Sequence, residues 1–197
     1  MEDFGAGSSV FKQHTRTVAD LAVVASQRKV NLFMGCLAQY FKPETIVELG
    51  TSLGLTSMYM AANAPQSRVL TVEGCKQTAA LARQNFNRLG AQNIELLNCL
   101  FEDALPALKE PIQNRSLVFV DGNHSYEATV SYFSFFADHA HNESLLVFDD
   151  INHSPGMQQA WKTIKESPST TATIDFFRLG LAALSPKLCK QHFVVRF

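Results

Sequence analysis

Two continuous apolar runs of strand length limit the folds open to this chain more than any other feature. Residues 117–120 and 145–148 contain no polar side chain, and an aspartate follows each run directly. Runs of this kind are typical of parallel strands that helices cover on both faces. They predict an α/β domain built on a twisted, mostly parallel sheet.

Strand-like and helix-like segments alternate along much of the remaining sequence. The β-prone runs at 45–49 and 68–73 each precede apolar residues at helical spacing, over 56–64 and 76–89. This order predicts a series of βαβ units.

Near the C-terminus, three β-prone segments follow one another too closely for helical crossovers. We predict that they pair antiparallel, with a hairpin at one edge of the sheet, after a helix over 157–166. The three segments are 171–176, 179–184 and 192–197.

The length of 197 residues and the hydrophobic content of 46% predict one domain around one core, spanning 1–197. We divide it into an N-terminal helical or lid segment at 1–42, a core at 43–184 and a C-terminal strand at 185–197. In the first segment, apolar residues recur at helical spacing from Thr17 to Phe41, and Pro43 ends the pattern.

Composition limits the classes of partner that this chain is expected to bind. The formal net charge is −1 and the basic residues are scattered, so no basic patch for nucleic acid or an anionic membrane is visible. The four cysteines form no C-x-x-C pair, and no apolar run reaches the roughly 18 residues that span a bilayer. We expect a cytoplasmic protein with a small-molecule partner, and leave open whether it is a homodimer.

Four carboxylates, Glu48, Glu73, Asp121 and Asp149, stand at the ends of predicted strands. Ligands of open α/β sheets bind at the carboxyl ends of the strands, so these positions indicate a binding site. The alternative is that such acids are solvated or cap the following helix.

The run Glu48-x-Gly50-x-x-x-Gly54 indicates the kind of ligand. Gly50 permits a tight turn, and Gly54 lets backbone approach a ligand. The middle glycine of a dinucleotide loop is missing, and a carboxylate before the turn suits an amino group better than a pyrophosphate. Glu73 is placed to accept the hydroxyls of a ribose. We predict an adenosine ligand without a pyrophosphate, with an ordinary β-to-α turn as the alternative.

The segments 46–61 and 69–90, together with the strand ends at Asp121 and Asp149, resemble class I methyltransferases, which have a Rossmann-like fold. The closest resemblance is to small O-methyltransferases of the catechol and caffeoyl-coenzyme A type. The runs D-G-x-H-x-Y and D-D-I also resemble small bacterial methyltransferases. The resemblance implies S-adenosylmethionine as cofactor and a hydroxyl oxygen of a small molecule as methyl acceptor.

The resemblance also implies roles for individual residues. Glu48 would lie near the methionine amino group, Thr56 on its carboxylate, Glu73 on the ribose and Phe101 in the adenine pocket. The cofactor-binding residues implied in this way are Glu48, Gly50, Thr51, Ser52, Gly54, Thr56, Glu73, Gly74, Phe101 and Asp121.

Asp121, Asp149 and Asp150 occupy the positions where metal-dependent members of the family place Asp, Asp and Asn. With substrate oxygens and water, they would complete the oxygen shell of Mg²⁺ or another divalent cation. The third aspartate fits equally well a metal-free site in which one carboxylate binds the substrate. Both alternatives stay open at this point.

His124, three residues after Asp121, is a candidate general base for the acceptor hydroxyl, and Asp121 is its catalytic partner. His153 lies similarly after the second aspartate run. The two histidines and the carboxylates would also suit a mixed nitrogen and oxygen metal site. A hydrogen-bonding surface histidine is the structural alternative.

Two other functions compete with methyl transfer. A methyltransferase-like binding or scaffold module would keep the fold without turnover, although Glu48, Glu73 and Asp121 argue against it. An NAD-dependent oxidoreductase is disfavoured by the missing G-x-G-x-x-G and by the antiparallel ending. The aromatic run at 132–136 is interpreted as core packing of a helix.

Overall fold

The computed structural model describes residues 28–196. The predicted helical stretch before Arg28, most of the predicted lid segment, and Phe197 lie outside the described residues. The helices are α1 (Arg28–Phe41), α2 (Leu55–Asn63), α3 (Lys76–Leu89), α4 (Phe101–Leu108), α5 (Tyr126–His139) and α6 (Pro155–Glu166), with a 3-10 turn at Pro111–Gln113. The strands are β1 (Thr45–Leu49), β2 (Arg68–Val72), β3 (Ile94–Leu97), β4 (Ser116–Val120), β5 (Leu145–Phe148), β6 (Ala172–Asp175), β7 (Gly180–Ala183) and β8 (Gln191–Val194).

The strands form one sheet in the order β3-β2-β1-β4-β5-β7-β6-β8, and β1 to β5 are parallel. The chain builds outward from β1 in one direction and from β4 in the other. The strand order therefore reverses between these two strands, which is where an open α/β sheet binds its ligand. Leu49 and Val120 are paired in register, so the turns that follow β1 and β4 leave the sheet side by side.

The C-terminal edge confirms the predicted hairpin but not the pairing of the last strand. β7 is antiparallel to both β5 and β6, whereas β8 pairs with β6 in parallel. The cause is the position of β6 between the two strands. Ala183 at the end of β7 is paired with Ala172 at the start of β6, and the chain passes around that end to begin β8 beside Ala172. A short loop is enough, because it passes only the start of one strand.

Helices cover both faces of the sheet, as the two apolar runs predict. On one face, Phe119 packs in a cluster with Met34 of α1 and Met60 of α2. On the other face, the cluster around Val118 includes side chains of α4, α5 and α6, among them Phe136 of the predicted aromatic core run. Alternate residues of each strand thus contribute to different clusters.

Serine caps fix the two helices that follow the acidic strand ends. The Ser125 hydroxyl accepts a hydrogen bond from Ala128 N at the start of α5, and the Ser154 hydroxyl accepts one from Met157 N at the start of α6. Such caps satisfy backbone donors that the first helical turn leaves unpaired. The loops that carry the aspartates and histidines are therefore held at both ends. No helix within residues 28–196 is long and apolar enough to cross a membrane.

Candidate functional site

The turn after β1 lies directly against the turn after β4. Gly50 has φ of +109°, and a Cβ atom at this position would lie 2.0 Å from the carbonyl oxygen of Asp121. Backbone N–H groups of Gly50 and Thr51 donate to Val72 O at the end of β2. A side chain at position 50 is excluded both by its backbone conformation and by its neighbour. The ends of three central strands are thereby tied together.

Gly54 has a structural reason for being glycine in addition to the one that the sequence suggested. Its φ is +80°, and a Cβ atom would lie 2.3 Å from the ring of Phe86 in α3. The expectation that backbone at Gly54 approaches a ligand stays a prediction. The space beside it is filled by the aromatic ring of a neighbouring helix.

Glu48 is buried within β1, with 1% of its surface exposed. Its Oε2 accepts hydrogen bonds from the hydroxyls of Ser57 and Thr71, whereas Oε1 is buried without a partner among the described residues. Burial raises the pKa of Glu48 to about 7, against the lowering effect of the two hydroxyls and with a smaller contribution from the charge of Glu73. A buried oxygen without a partner costs roughly 1–3 kcal/mol. The site therefore suits a ligand that donates a hydrogen bond, such as an amino group.

Glu73 connects the end of β2 with the turn after β1. Its carboxylate accepts hydrogen bonds from the backbone N–H groups of Ser52, at 3.0 Å, and Cys75, at 2.9 Å. The Asn98 amide donates to the carbonyl oxygens of Glu73 and Gly74. The hydroxyl of Ser52 is buried without a partner in the described part of the chain. The ribose role of Glu73 stays a prediction.

Two threonines of the predicted cofactor site have protein partners. The hydroxyls of Thr51 and Thr71 are 2.6 Å apart, and the Thr56 hydroxyl donates to Asn31 Oδ1 of α1 at 2.9 Å. The Thr56 bond ties α2 to α1. Its predicted role on a ligand carboxylate would require this bond to be shared or exchanged.

Phe101, at the start of α4, lies beside the turn after β4. A Cβ atom on Gly122 would be 2.7 Å from its ring, and the ring makes an edge contact with Tyr132, with centroids 5.8 Å apart. The Tyr132 hydroxyl donates to Glu102 at 2.7 Å. The structure therefore brings Phe101 next to the acidic strand end. Its contact with an adenine ring remains a prediction.

Asp121 and Asp149 follow the ends of adjacent strands. Asp121 N donates to Leu49 O at 2.8 Å, and Asp149 N donates to Val120 O at 3.0 Å. Burial, followed by the negative charges of Asp149, Asp150 and Glu48, raises the pKa of Asp121 well above its usual range. The carboxylates predicted at these two strand ends thus belong to one cluster of like charges.

Arg178 balances this cluster and was missed by the sequence analysis. Its Nε lies 2.8 Å from Asp149 Oδ1 and its Nη2 lies 2.6 Å from Asp149 Oδ2, while Nε is 3.4 Å from Asp150 Oδ1. Asp149 is 1% exposed, whereas 38% of the Arg178 side chain is exposed. The two-point geometry is the strongest form of arginine–carboxylate pairing. A cation of the protein therefore contacts two of the three predicted metal-binding residues, Asp149 and Asp150.

A signal for Arg178 was present in the sequence. It is the only basic residue between Lys165 and Lys187, and it falls in the turn of the predicted C-terminal hairpin. Because β6 and β5 both run antiparallel to β7, that turn lies at the carboxyl edge of the sheet. The spatial neighbourhood could be deduced only once β7 was known to pair with β5.

The three aspartates do not fit a divalent cation in this arrangement. Both oxygens of Asp149 are bound by the guanidinium of Arg178. Within residues 28–196, no three His, Cys, Asp or Glu side chains are grouped so that they could hold a metal ion. This geometry disfavours both the magnesium site and the mixed site with His124 and His153.

His124 lies next to Asp121, with Nε2 3.7 Å from Asp121 Oδ1. Its ring centroid is 6.3 Å from that of His153. Burial lowers the pKa of His124, against the opposing effect of the charges on Asp150 and Asp149. A neutral imidazole is the form that can take up a proton, so the geometry is compatible with the base role, which stays a prediction.

Comparisons with known proteins show which family this chain belongs to. A family model described as "Methyltransferase domain" matches residues 47–151, more than half of the chain. The catechol O-methyltransferase of Mycobacterium tuberculosis is 30% identical over 142 residues, covering 71% of this chain and 62% of that protein. This chain thus spans less than two thirds of that relative's length.

Solved structures share the fold. The O-methyltransferase TomG of Streptomyces achromogenes, solved in complex with SAM, aligns with a TM-score of 0.68 and 21% identity, covering 84% of this chain and 82% of its own. An O-methyltransferase from Bacillus cereus, solved with SAH, aligns with a TM-score of 0.65 and 17% identity, covering 88% and 93%. Both alignments cover more than four fifths of each chain.

Proposed function

Because this chain belongs to the methyltransferase-domain family, we propose that it transfers the methyl group of S-adenosylmethionine to a hydroxyl oxygen of a small molecule. The observation that carries the proposal is the buried, unpartnered Oε1 of Glu48 at the switch point of the sheet. The O-methyltransferase relatives support the acceptor atom.

Glu48 and the turn after it form the donor half of the proposed site. An amino group of the bound cofactor would donate to Glu48 Oε1 and shift Glu48 to its ionised form. Backbone of residues 50–54 would lie along the methionine part, with the unpartnered Ser52 hydroxyl available to it. When bound, S-adenosylmethionine supplies a methyl group activated by a sulfonium.

Glu73 and Phe101 extend the donor half toward the nucleoside. Glu73 would accept hydrogen bonds from the ribose while its backbone donors keep it in place. Phe101 would offer a ring face or edge to the adenine, supported by its contact with Tyr132. These contacts would set the direction in which the methyl group faces the acceptor.

Asp121 and His124 form the acceptor half. Asp121 would orient the acceptor hydroxyl, and Nε2 of His124 would take its proton as the new oxygen–carbon bond forms. The charges of Asp149 and Asp150 favour the imidazolium that results. Alignment of the reacting atoms, more than covalent participation by the protein, is expected to supply the rate enhancement.

We infer that Arg178 supplies the positive charge in this acceptor half, so that transfer needs no divalent cation. The two-point pair with Asp149 supports the metal-free alternative for the three aspartates. Arg178 would then act by holding the acidic strand end in one arrangement.

Calorimetric titration with adenosylhomocysteine tests the donor half. We expect the wild-type protein to bind it and Glu48→Gln to bind at least tenfold more weakly. The control Glu95→Gln, an exposed carboxylate on β3, should bind like wild type. No heat and no thermal shift with the wild-type protein would contradict the proposal, and binding of NADH instead would favour an oxidoreductase.

A transfer assay with a panel of hydroxylated acceptors tests the reaction itself. Methylated product that depends on His124 supports the proposal. Binding of the cofactor without product from any acceptor would favour the catalytically silent module.

A further inference from the structure

A cavity lies between α1 and the turn that joins β6 to β7. Its volume is about 480 Å³, within the roughly 300–1,000 Å³ range of small-molecule sites. Its lining includes the basic side chains of Lys29, Arg178 and Arg196 and apolar side chains of Phe176, Phe177 and Leu179. None of the described residues that line it is acidic.

The sheet topology explains why these residues meet. β6 and β8 are parallel, and Val194 of β8 is paired with Asp175 of β6. The residues after both strands therefore emerge at the same edge of the sheet as Asp149, which follows β5. The cavity opens at the carboxyl edge, next to the acceptor half of the proposed site.

Arg178 belongs to both places. Its guanidinium binds Asp149 while its side chain lines the cavity. Ile151 N donates to Arg178 O at 3.0 Å, and the Asn152 amide donates to Phe177 O at 2.6 Å. These bonds fix the cavity wall to the loop after β5, so the cavity and the acidic cluster are parts of one rigid arrangement.

The basic side chains of the cavity are not all paired with acidic residues of the described part of the chain. Asp149 neutralises Arg178, but neither Lys29 nor Arg196 forms an ion pair with any residue between 28 and 196. Nη1 of Arg178 likewise makes no hydrogen bond within the described chain. Two cations without an acidic partner among residues 28–196, beside an apolar wall, favour an anionic group on the ligand.

The apolar wall suits a flat ring. Phe177 lines the cavity and is 69% exposed, so its ring is accessible to a ligand. Phe176 is held by an edge contact with Phe33 of α1, with centroids 5.1 Å apart. Aromatic side chains bind other rings by stacked or edge contacts.

We propose that this cavity binds an anionic group of the methyl acceptor, held by Lys29 and Arg196 beside the ring of Phe177. This inference rests on the proposed methyl transfer. The acceptor oxygen would form its bond to the methyl carbon as the sulfur–methyl bond breaks. The hydroxyl proton would pass to His124, and adenosylhomocysteine would leave.

The test compares two probes that differ only by a carboxylate, 3,4-dihydroxybenzoate and catechol. Binding of each is measured by calorimetry or ligand-observed NMR, with and without adenosylhomocysteine. We expect the acid to bind at least tenfold more tightly than catechol. In the double variant Lys29→Gln/Arg196→Gln this preference should fall below threefold, while catechol binding is unchanged.

A matched double variant, Lys109→Gln/Lys162→Gln, removes the same charge away from the cavity and should keep the full preference. Equal binding of both probes to the wild-type protein would contradict the proposed role of Lys29 and Arg196. An equal loss of the preference for the acid in both double variants would contradict it as well. Intact adenosylhomocysteine binding in that case would leave the proposed function standing. Preference for the acid that depends on Lys29 and Arg196, without any adenosylhomocysteine binding, would support the pocket and contradict methyl transfer.

Discussion

Arg178 and Asp149 form a two-point ion pair in which one partner is buried and the other reaches solvent. The contacts measure 2.8 and 2.6 Å, and Asp149 is 1% exposed against 38% for Arg178. Removing the guanidinium would leave a buried carboxylate without its cation, beside two further aspartates. The pair is therefore expected to matter for stability as well as for the site.

We predict that Arg178→Gln lowers the free energy of unfolding by about 2–3 kcal/mol, less than for a fully buried pair because the arginine is partly exposed. Denaturant unfolding measures the change. The exposed pair of Arg68 and Glu95 provides the control, since Arg68→Gln should cost less than about 1 kcal/mol. Equal effects of the two substitutions would show that Asp149 does not depend on Arg178.

Divalent cations should be dispensable for the wild-type protein. We expect methyl transfer to be unchanged by EDTA and calorimetry with MgCl₂ to show no site. Arg178→Ala removes the guanidinium from both oxygens of Asp149, so this variant should gain weak Mg²⁺ binding. Stoichiometric Mg²⁺ binding by the wild-type protein, with loss of transfer in EDTA, would contradict the role assigned to Arg178.

A comparison of Gly50→Ala with Gly90→Ala separates the stability cost of backbone conformation from the cost of a close steric contact. Both glycines have positive φ, but a Cβ atom at position 50 meets Asp121 O at 2.0 Å, whereas none lies within 4 Å at position 90. We expect Gly90→Ala to cost roughly 1–2 kcal/mol for its backbone conformation alone. Gly50→Ala should cost at least about 2 kcal/mol more and weaken adenosylhomocysteine binding. Thermal or denaturant unfolding measures both costs. Similar losses of unfolding free energy in the two variants would contradict the close approach of position 50 to Asp121 O.

Glu48 should make the ligand-free protein less stable as pH rises. Its pKa in the folded protein, about 7, lies above the ordinary 4.5, so the folded state holds a proton that the unfolded state releases. The stability from this proton is complete below pH 4.5 and is lost as pH approaches 7, by about 3 kcal/mol in all. Asp121 acts in the same direction.

Glu48→Gln should therefore flatten the decline in unfolding free energy between about pH 5 and pH 7 without abolishing it. Glu95→Gln, on the exposed edge, should leave the decline unchanged. A variant Glu48→Gln that follows the wild-type curve would mean that Glu48 is already ionised in the ligand-free protein.

Much of the fold could be predicted because its signals are local. The runs at 117–120 and 145–148 became β4 and β5, buried on both faces, and their following aspartates lie together at one edge. Parallel strands align their carboxyl ends, so residues far apart in sequence needed no further information to be brought near one another.

Long-range relationships could not be predicted in the same way. The partner of β8 depends on where β7 inserts, and the role of Arg178 depends on that same insertion. Gly54 shows a second limit, since a glycine in a loop signals a close neighbour without saying whether it is a ligand or, as here, Phe86. Ser57 of α2 and Thr71 of β2 donate hydrogen bonds to Glu48. They could not be identified from the sequence, because no pattern distinguishes them from other serines and threonines.

The close approach of Gly50 to the carbonyl oxygen of Asp121 should couple the two halves of the proposed site. It leaves no gap in which the turn that faces the donor could shift independently of the turn that faces the acceptor. Loading of one substrate should then preorganise the surface that meets the other, and the two affinities should be thermodynamically linked. Enlarging residue 50 should therefore misalign the two reactants in addition to weakening the binding of adenosylhomocysteine.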